Sequence, residues 1–256
     1  MAHQPTDKEG RPYHVRLSKA DVGRVALLPG DPGRVPLIAQ RLDGARELNA
    51  NREYVAYGGK TGGEKVLVMS TGIGGPSTAI AVEELARLGV EVMIRVGTCG
   101  AIQPSLKLGS LVIADSAVRM DGTSRQYVME GYPAAATPGV VLALAEAAAS
   151  LGKDAAVGVA ASTDSFYVGQ GREGFGGYLP PDKARIVEDL RAAKVLCFEM
   201  EASTLFTLGR LFGLKTGAVF AVVANRATDE LGHGVGVDDA IEVALAGVRG
   251  LKKRSI

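Results

Sequence analysis

The chain has 256 residues, and 29 Lys+Arg against 28 Asp+Glu leave a formal net charge of +1, so there is no general basic field to hold nucleic acid or an anionic membrane. Hydrophobic residues at 46% and charged residues at 22% fit a packed globular chain and exclude a disordered or fibrous one. The 34 glycines are the outlier. They amount to about twice the usual share and mark many turns and close backbone approaches.

In chain order, residues 1–14 are polar, lack an apolar stretch and read as a tail without a secretory or transit signal. Short apolar runs at 25–28, 66–70, 92–96, 111–114, 156–160 and 217–223 read as buried strands. Between and after them, 77–88, 138–151, 202–212 and 238–251 repeat apolar residues at helical spacing, and the second and third end near Gly152 and Gly213, which are C-cap signals. The alternation predicts one α/β domain over the whole chain. The segment 163–182 holds five glycines and two prolines and reads as a long functional loop. The longest apolar run, 218–224, is too short for a membrane helix. Cys99 and Cys197 have neither CxxC nor Cys/His spacing, so no metal site is expected and reduced thiols in a cytoplasm are.

Ligands of open α/β sheets bind beyond the carboxyl ends of strands, and the loops there are unusual. Pro29-Gly30-Asp31-Pro32-Gly33-Arg34 follows the first strand, Thr71-Gly72-Ile73-Gly74-Gly75-Pro76-Ser77 follows the second, and the third contains Arg95 and runs into Gly97-Thr98-Cys99-Gly100. Arg34 or Arg95 alone reads best as a surface cation. Together with Gly30 and Thr98 they shift the reading to an oxyanion pocket, where each guanidinium bond contributes roughly 1.5–3 kcal/mol. Arg52 is a third candidate that could equally pair with Glu53 or solvent. The run from Gly72 to Ser77 imitates a dinucleotide fingerprint but lacks its third glycine, and no P-loop is present.

Glu199 and Glu201 flank Met200 at the mouth of a helix. Carboxylates are ordinary in a first helical turn, but around an apolar Met one must face inward and meet donors such as sugar hydroxyls. His3, His14 and His233 form no triad, and no GxSxG elbow occurs.

Taken in order, Pro29-Gly30-Asp31-Pro32, Ser70 to Ser77, Arg95-Val96-Gly97-Thr98 and Glu199-Met200-Glu201 resemble the hexamer-forming nucleoside phosphorylase family. The resemblance implies a mixed central β-sheet flanked by helices, and a homo-oligomer, a hexamer in the family, with active sites shared between subunits. It implies that Gly30, Arg34, Arg95 and Thr98 bind phosphate, with Arg52 reaching in from a neighbour. It also implies that Glu199, Met200 and Glu201 hold ribose, with His14 from the neighbour on the 5′-hydroxyl. Phe166-Tyr167-Val168-Gly169-Gln170-Gly171-Arg172 resembles the base loop of uridine-specific members. By that likeness Phe166, Gln170 and Arg172 bind the base, and Arg172 and Arg226 stabilise the leaving group, Arg226 by holding either the loop or the carbonyl. Asn225-Arg226 stands where purine-specific members carry Ser-Asp.

The implied reaction is reversible phosphorolysis of uridine to uracil and ribose 1-phosphate, with inorganic phosphate as co-substrate and no organic cofactor. Nucleic acid and membrane are not expected partners. Some relatives hold a monovalent cation, such as K+, at positions matching Glu53, Ile73 and Ser77. Two alternatives stay open: purine nucleoside cleavage with Asp229 as the acid, and a nucleoside-binding protein without catalysis.

Overall fold

The computed structural model describes residues 4–253. Its elements are β1 (Val25–Leu28), α1 (Arg34–Ala39), β2 (Asp43–Asn51), β3 (Tyr54–Thr61), β4 (Glu64–Met69), α2 (Gly75–Leu88), β5 (Val92–Ala101), β6 (Leu111–Met120), β7 (Ala134–Ala135), α3 (Pro138–Ser150), β8 (Ala155–Thr163), α4 (Pro181–Ala184), α5 (Ile186–Ala192), β9 (Cys197–Glu199), α6 (Ala202–Leu211), β10 (Lys215–Asn225), β11 (Glu230–Leu231) and α7 (Val237–Lys253). All six expected strands and all four expected helices are present. The helices ending before Gly89, Gly152 and Gly213 close alike, with positive φ at the glycine and a backbone bond from the next N–H to a carbonyl five residues back.

The strands form one mixed sheet flanked by helices, as expected. β1 is an unbroken buried VALL run because it pairs in parallel with β4 on one side and β5 on the other. Successive residues enter opposite layers. Met93 joins α2 and α6 through Val82, Leu85, Leu205 and Phe206, whereas Ile94 joins α3 and α7 through Val140, Leu144, Ile241 and Val248. Each such large side chain contributes about 1.5–3 kcal/mol on burial, so both faces of the sheet are anchored.

β5 positions the site. One edge pairs with β10 along the whole strand. The other pairs with β1 over residues 92–95 and with β9 at residues 100–101, leaving residues 96–99 without a partner strand on that edge. Beyond the fork, β5, β10, β6, β8 and β9 pair in a closed ring.

Of the segment read as a tail, residues 4–13 fold into a tight turn. Thr6 bridges Pro12, and the Asp7 carboxylate accepts the Glu9 and Arg11 amides. Residues 1–3, including His3, lie outside the described residues. The long loop 163–182 contains two single-turn helices, Val168–Gln170 and Phe175–Gly177. No helix among the described residues is long and apolar enough to cross a membrane.

Candidate active site

A cavity of about 490 Å³ opens at the β5 fork and is lined by Gly30, Arg34, Arg95, Thr98, Phe166, Gln170, Arg172, Glu199, Met200 and Glu201. Ten residues singled out from separate stretches of sequence thus share one space. Ile73, Cys99 and Phe198 also contribute to its wall.

At one end stand two guanidiniums. Arg34 opens α1, where Asp31 Oδ1 accepts the Gly33 amide at 2.8 Å and sets the turn. Its Nη1 reaches the Val96 carbonyl, on the unpaired stretch of β5, at 3.4 Å. Burial and the facing Arg95 push Arg34 below the ordinary arginine range, with Asp31 opposing. Arg95 is ion-paired through Nη2 with Glu201, while its buried Nε and Nη1 have no hydrogen-bond partner among the described residues. Glu199 lies 3.6 Å from that Nε. Unsatisfied buried donors are costly, and with Nε turned toward Glu199 the open Nη1, beside Arg34, marks a place for an anion. At Gly30 an added Cβ would lie 3.2 Å from the Gly72 carbonyl and 3.4 Å from Arg95 Nη2, so any larger residue crowds this end.

In the middle lie the carboxylates. Glu201 Oε1 accepts the Gly74 amide at 2.6 Å, which requires the positive φ of 95° that Gly74 adopts. This explains the imperfect dinucleotide fingerprint, because an amide of the glycine turn faces a protein carboxylate instead of a pyrophosphate. One lone pair on each Glu201 oxygen is left for a hydroxyl. Glu199 lines the same wall, but Ser162 Oγ donates to its Oε1, and its Oε2 accepts the amides of Glu201 at 2.8 Å and Ala202 at 2.9 Å. Burial and the Glu201 carboxylate raise Glu199 to about 7, against the opposing pull of Arg95 and those hydrogen bonds. Glu199 therefore fixes the start of α6.

At the far end, Arg172 Nη1 donates to the Phe166 carbonyl and to Gln170 Oε1, each at 2.7 Å, and its guanidinium lies 4.3 Å from the centre of the Phe166 ring. Arg226 does not line the cavity. Its Nη1 donates to the Gln170 carbonyl and holds the loop. Burial lowers both Arg172 and Arg226, with Arg172 lowering Arg226 further. Asn225 spends its amide on the carbonyls of Gln103 and Leu106 and on the Ala227 amide.

Three expected residues lie elsewhere in the protomer. His14 Nδ1 is 2.7 Å from Glu84 Oε1, and since a carboxylate only accepts, Nδ1 carries the proton. Arg52 is exposed at the β2–β3 turn with φ 54°. Asn51 beside it donates to the His14 carbonyl at 2.7 Å, so the β2–β3 turn is tied to the His14 segment. Asp229 is exposed at the β10–β11 turn and is no part of the cavity wall. Glu53 and Ser77 flank Gly72, and Ser77 Oγ donates to the Ile73 carbonyl at 3.3 Å. Sequence reading missed Glu84, which also accepts the His14 and Val15 amides, and Ser162; neither has a local signal.

A family model described as the phosphorylase superfamily matches residues 24–250. The chain belongs to that superfamily. Among phosphorylases it is similar to the uridine phosphorylase of Thermococcus kodakarensis, 53% identical over 248 residues, 97% of this chain and 89% of that protein. It is similar to the uridine phosphorylase of Escherichia coli at 41% over 222 residues, 86% of this chain and 88% of that one. The guanosine phosphorylase of Halorubrum lacusprofundi is 38% identical over 225 residues, covering 88% and 85%. In a phosphorylase, a paired-arginine end and a carboxylate wall have the chemistry of phosphate and sugar.

Proposed function

We propose that this chain catalyses the reversible phosphorolysis of uridine to uracil and ribose 1-phosphate. The observation that carries the reading is the order of charge in one cavity: Arg34 and Arg95, then Glu199 and Glu201, then Gln170 and Arg172. Phosphate, ribose and a departing uracil anion match that order. Phosphate is already nucleophilic at neutral pH, so no strong base is needed. Its oxygen bonds to C1′ as the C1′–N1 bond breaks, and the bond pair passes to uracil, where it spreads toward O2 and O4. Arg172 and Gln170 meet that charge as donors, while phosphate held by Arg34 and Arg95 stabilises the cationic sugar. Glu201 accepts from the ribose hydroxyls.

His14 and Arg52 complete a neighbour's site in this reading, since neither lines the cavity of its own protomer. With Nδ1 committed to Glu84, His14 has Nε2 left for a 5′-hydroxyl. An oligomer with shared sites, a cytoplasmic location, no organic cofactor, and a monovalent cation held by Glu53, Ile73 and Ser77 belong to the same proposal. Purine cleavage calls for an acid at N7; Asp229 stands exposed on a turn instead.

The test is release of free base from uridine and, separately, from inosine, with and without phosphate. Phosphate-dependent uracil release is expected. Hypoxanthine release in its place refutes the base assignment, and silence with both nucleosides refutes the enzyme.

A further inference from the structure

The amide that reads the base is held from behind by a residue with no role assigned so far. Gln170 is 4% exposed. Its Nε2 donates to Thr163 Oγ1 at 3.1 Å, and its Oε1 accepts from Arg172 Nη1 at 2.7 Å. A flipped amide would set Nε2 against a guanidinium that can only donate. At the other end Thr163 Oγ1 donates to the Ser165 carbonyl at 3.3 Å and so offers Gln170 Nε2 a lone pair, which agrees with the orientation that Arg172 sets. Thr163 is 1% exposed. As the last residue of β8 it is in register with Met120 of β6, so the sheet, not the loop, fixes its place.

With those bonds made, Gln170 keeps one N–H and one Oε1 lone pair for a ligand, beside the donors of Arg172. That set complements the neighbouring C=O and N–H of an imide ring such as uracil. A cytosine ring would bring an acceptor to the acceptor and an amino group to the donors. We infer that Thr163 is a positioning residue for base specificity: its hydroxyl holds the Gln170 amide in the orientation that the donor-only Arg172 sets, and the site thereby selects an imide base over an aminopyrimidine.

The inference rests on the proposed uridine reading, and one set of assays separates the two. Thr163→Val keeps the branched shape and removes the hydroxyl, and Thr163→Ser keeps the hydroxyl. In Thr163→Val, kcat/KM for uridine is expected to fall about tenfold, mainly through KM, and the ratio of the inhibition constants of cytosine and uracil to shrink by about the same factor. The KM for phosphate stays within about twofold, and Thr163→Ser restores the wild-type values. The positioning role is overturned by an unchanged Thr163→Val, by an equal loss in Thr163→Ser, or by a phosphate KM that rises in step. Should the valine variant not fold, Thr163→Ala is judged by the same measures. A wild-type enzyme silent on uridine overturns the uridine reading itself.

Discussion

Arg95→Met tests the phosphate end of the cavity. Arg95 is 6% exposed; its Nε faces Glu199 and its Nη2 faces Glu201, which leaves Nη1 as the buried donor open to a ligand. At roughly 1.5–3 kcal/mol for a charge-assisted bond, the variant is expected to lower kcat/KM for phosphate by about one to two orders of magnitude. Glu201 loses its ion-pair partner in the same variant, so the KM for uridine rises as well. Arg95→Lys keeps the charge without the planar fork and recovers only part of the loss. The assay is uracil release over a phosphate series at saturating uridine, with phosphate binding followed by calorimetry. A phosphate KM within about threefold of wild type would refute the reasoning, since Arg95 would then serve Glu201 alone.

Three further outcomes are expected. Glu199 is raised from 4.5 to about 7, so the native state holds its proton more tightly than the unfolded chain. Its stabilisation is complete below about pH 4.5 and is lost as pH rises to about 7, and wild type should lose about 3 kcal/mol more than Glu199→Gln across that window in denaturant titrations. Parallel curves would show a carboxylate already ionised in the folded protein. Arg52→Ala and Arg95→Met are each expected to be impaired, yet subunits co-refolded in equal amounts should regain activity at about a quarter of the sites if each site takes Arg95 from one protomer and Arg52 from the next. No recovery would place Arg52 outside a shared site. Asp229→Asn is expected to leave uracil release unchanged, and a sharp fall in any inosine turnover would revive the purine alternative.

Much of the site was legible because its residues follow buried strands, where a VALL or VMI run announces the element and the next turn bears the unusual chemistry. β2 gave no such signal, since DGARELNAN is an edge strand exposed along most of its length and needs no apolar alternation. β9 has only three residues and hides within the motif that carries Glu199. The supports were invisible for another reason. Ser162 meets Glu199 across 37 residues and Glu84 meets His14 across 70, and a serine or a helix glutamate has no local mark of either role. For Arg226 the resemblance leaves open whether it holds the base loop or a base carbonyl, and its bond to the Gln170 carbonyl is the loop contact, which no local pattern distinguishes from the other.

β9 has a consequence for how the protein assembles. Three residues from late in the chain wedge between β5 and β8, setting Phe198 opposite Gly100 and Glu199 opposite Ser162, so that β9 must find one neighbour close to a hundred residues back in sequence. Loop closure over such spans is slow, so this keystone is expected to seat late in folding. Because it carries Glu199, which accepts the Glu201 and Ala202 amides, the ribose wall is expected to take shape only as the ring of strands closes.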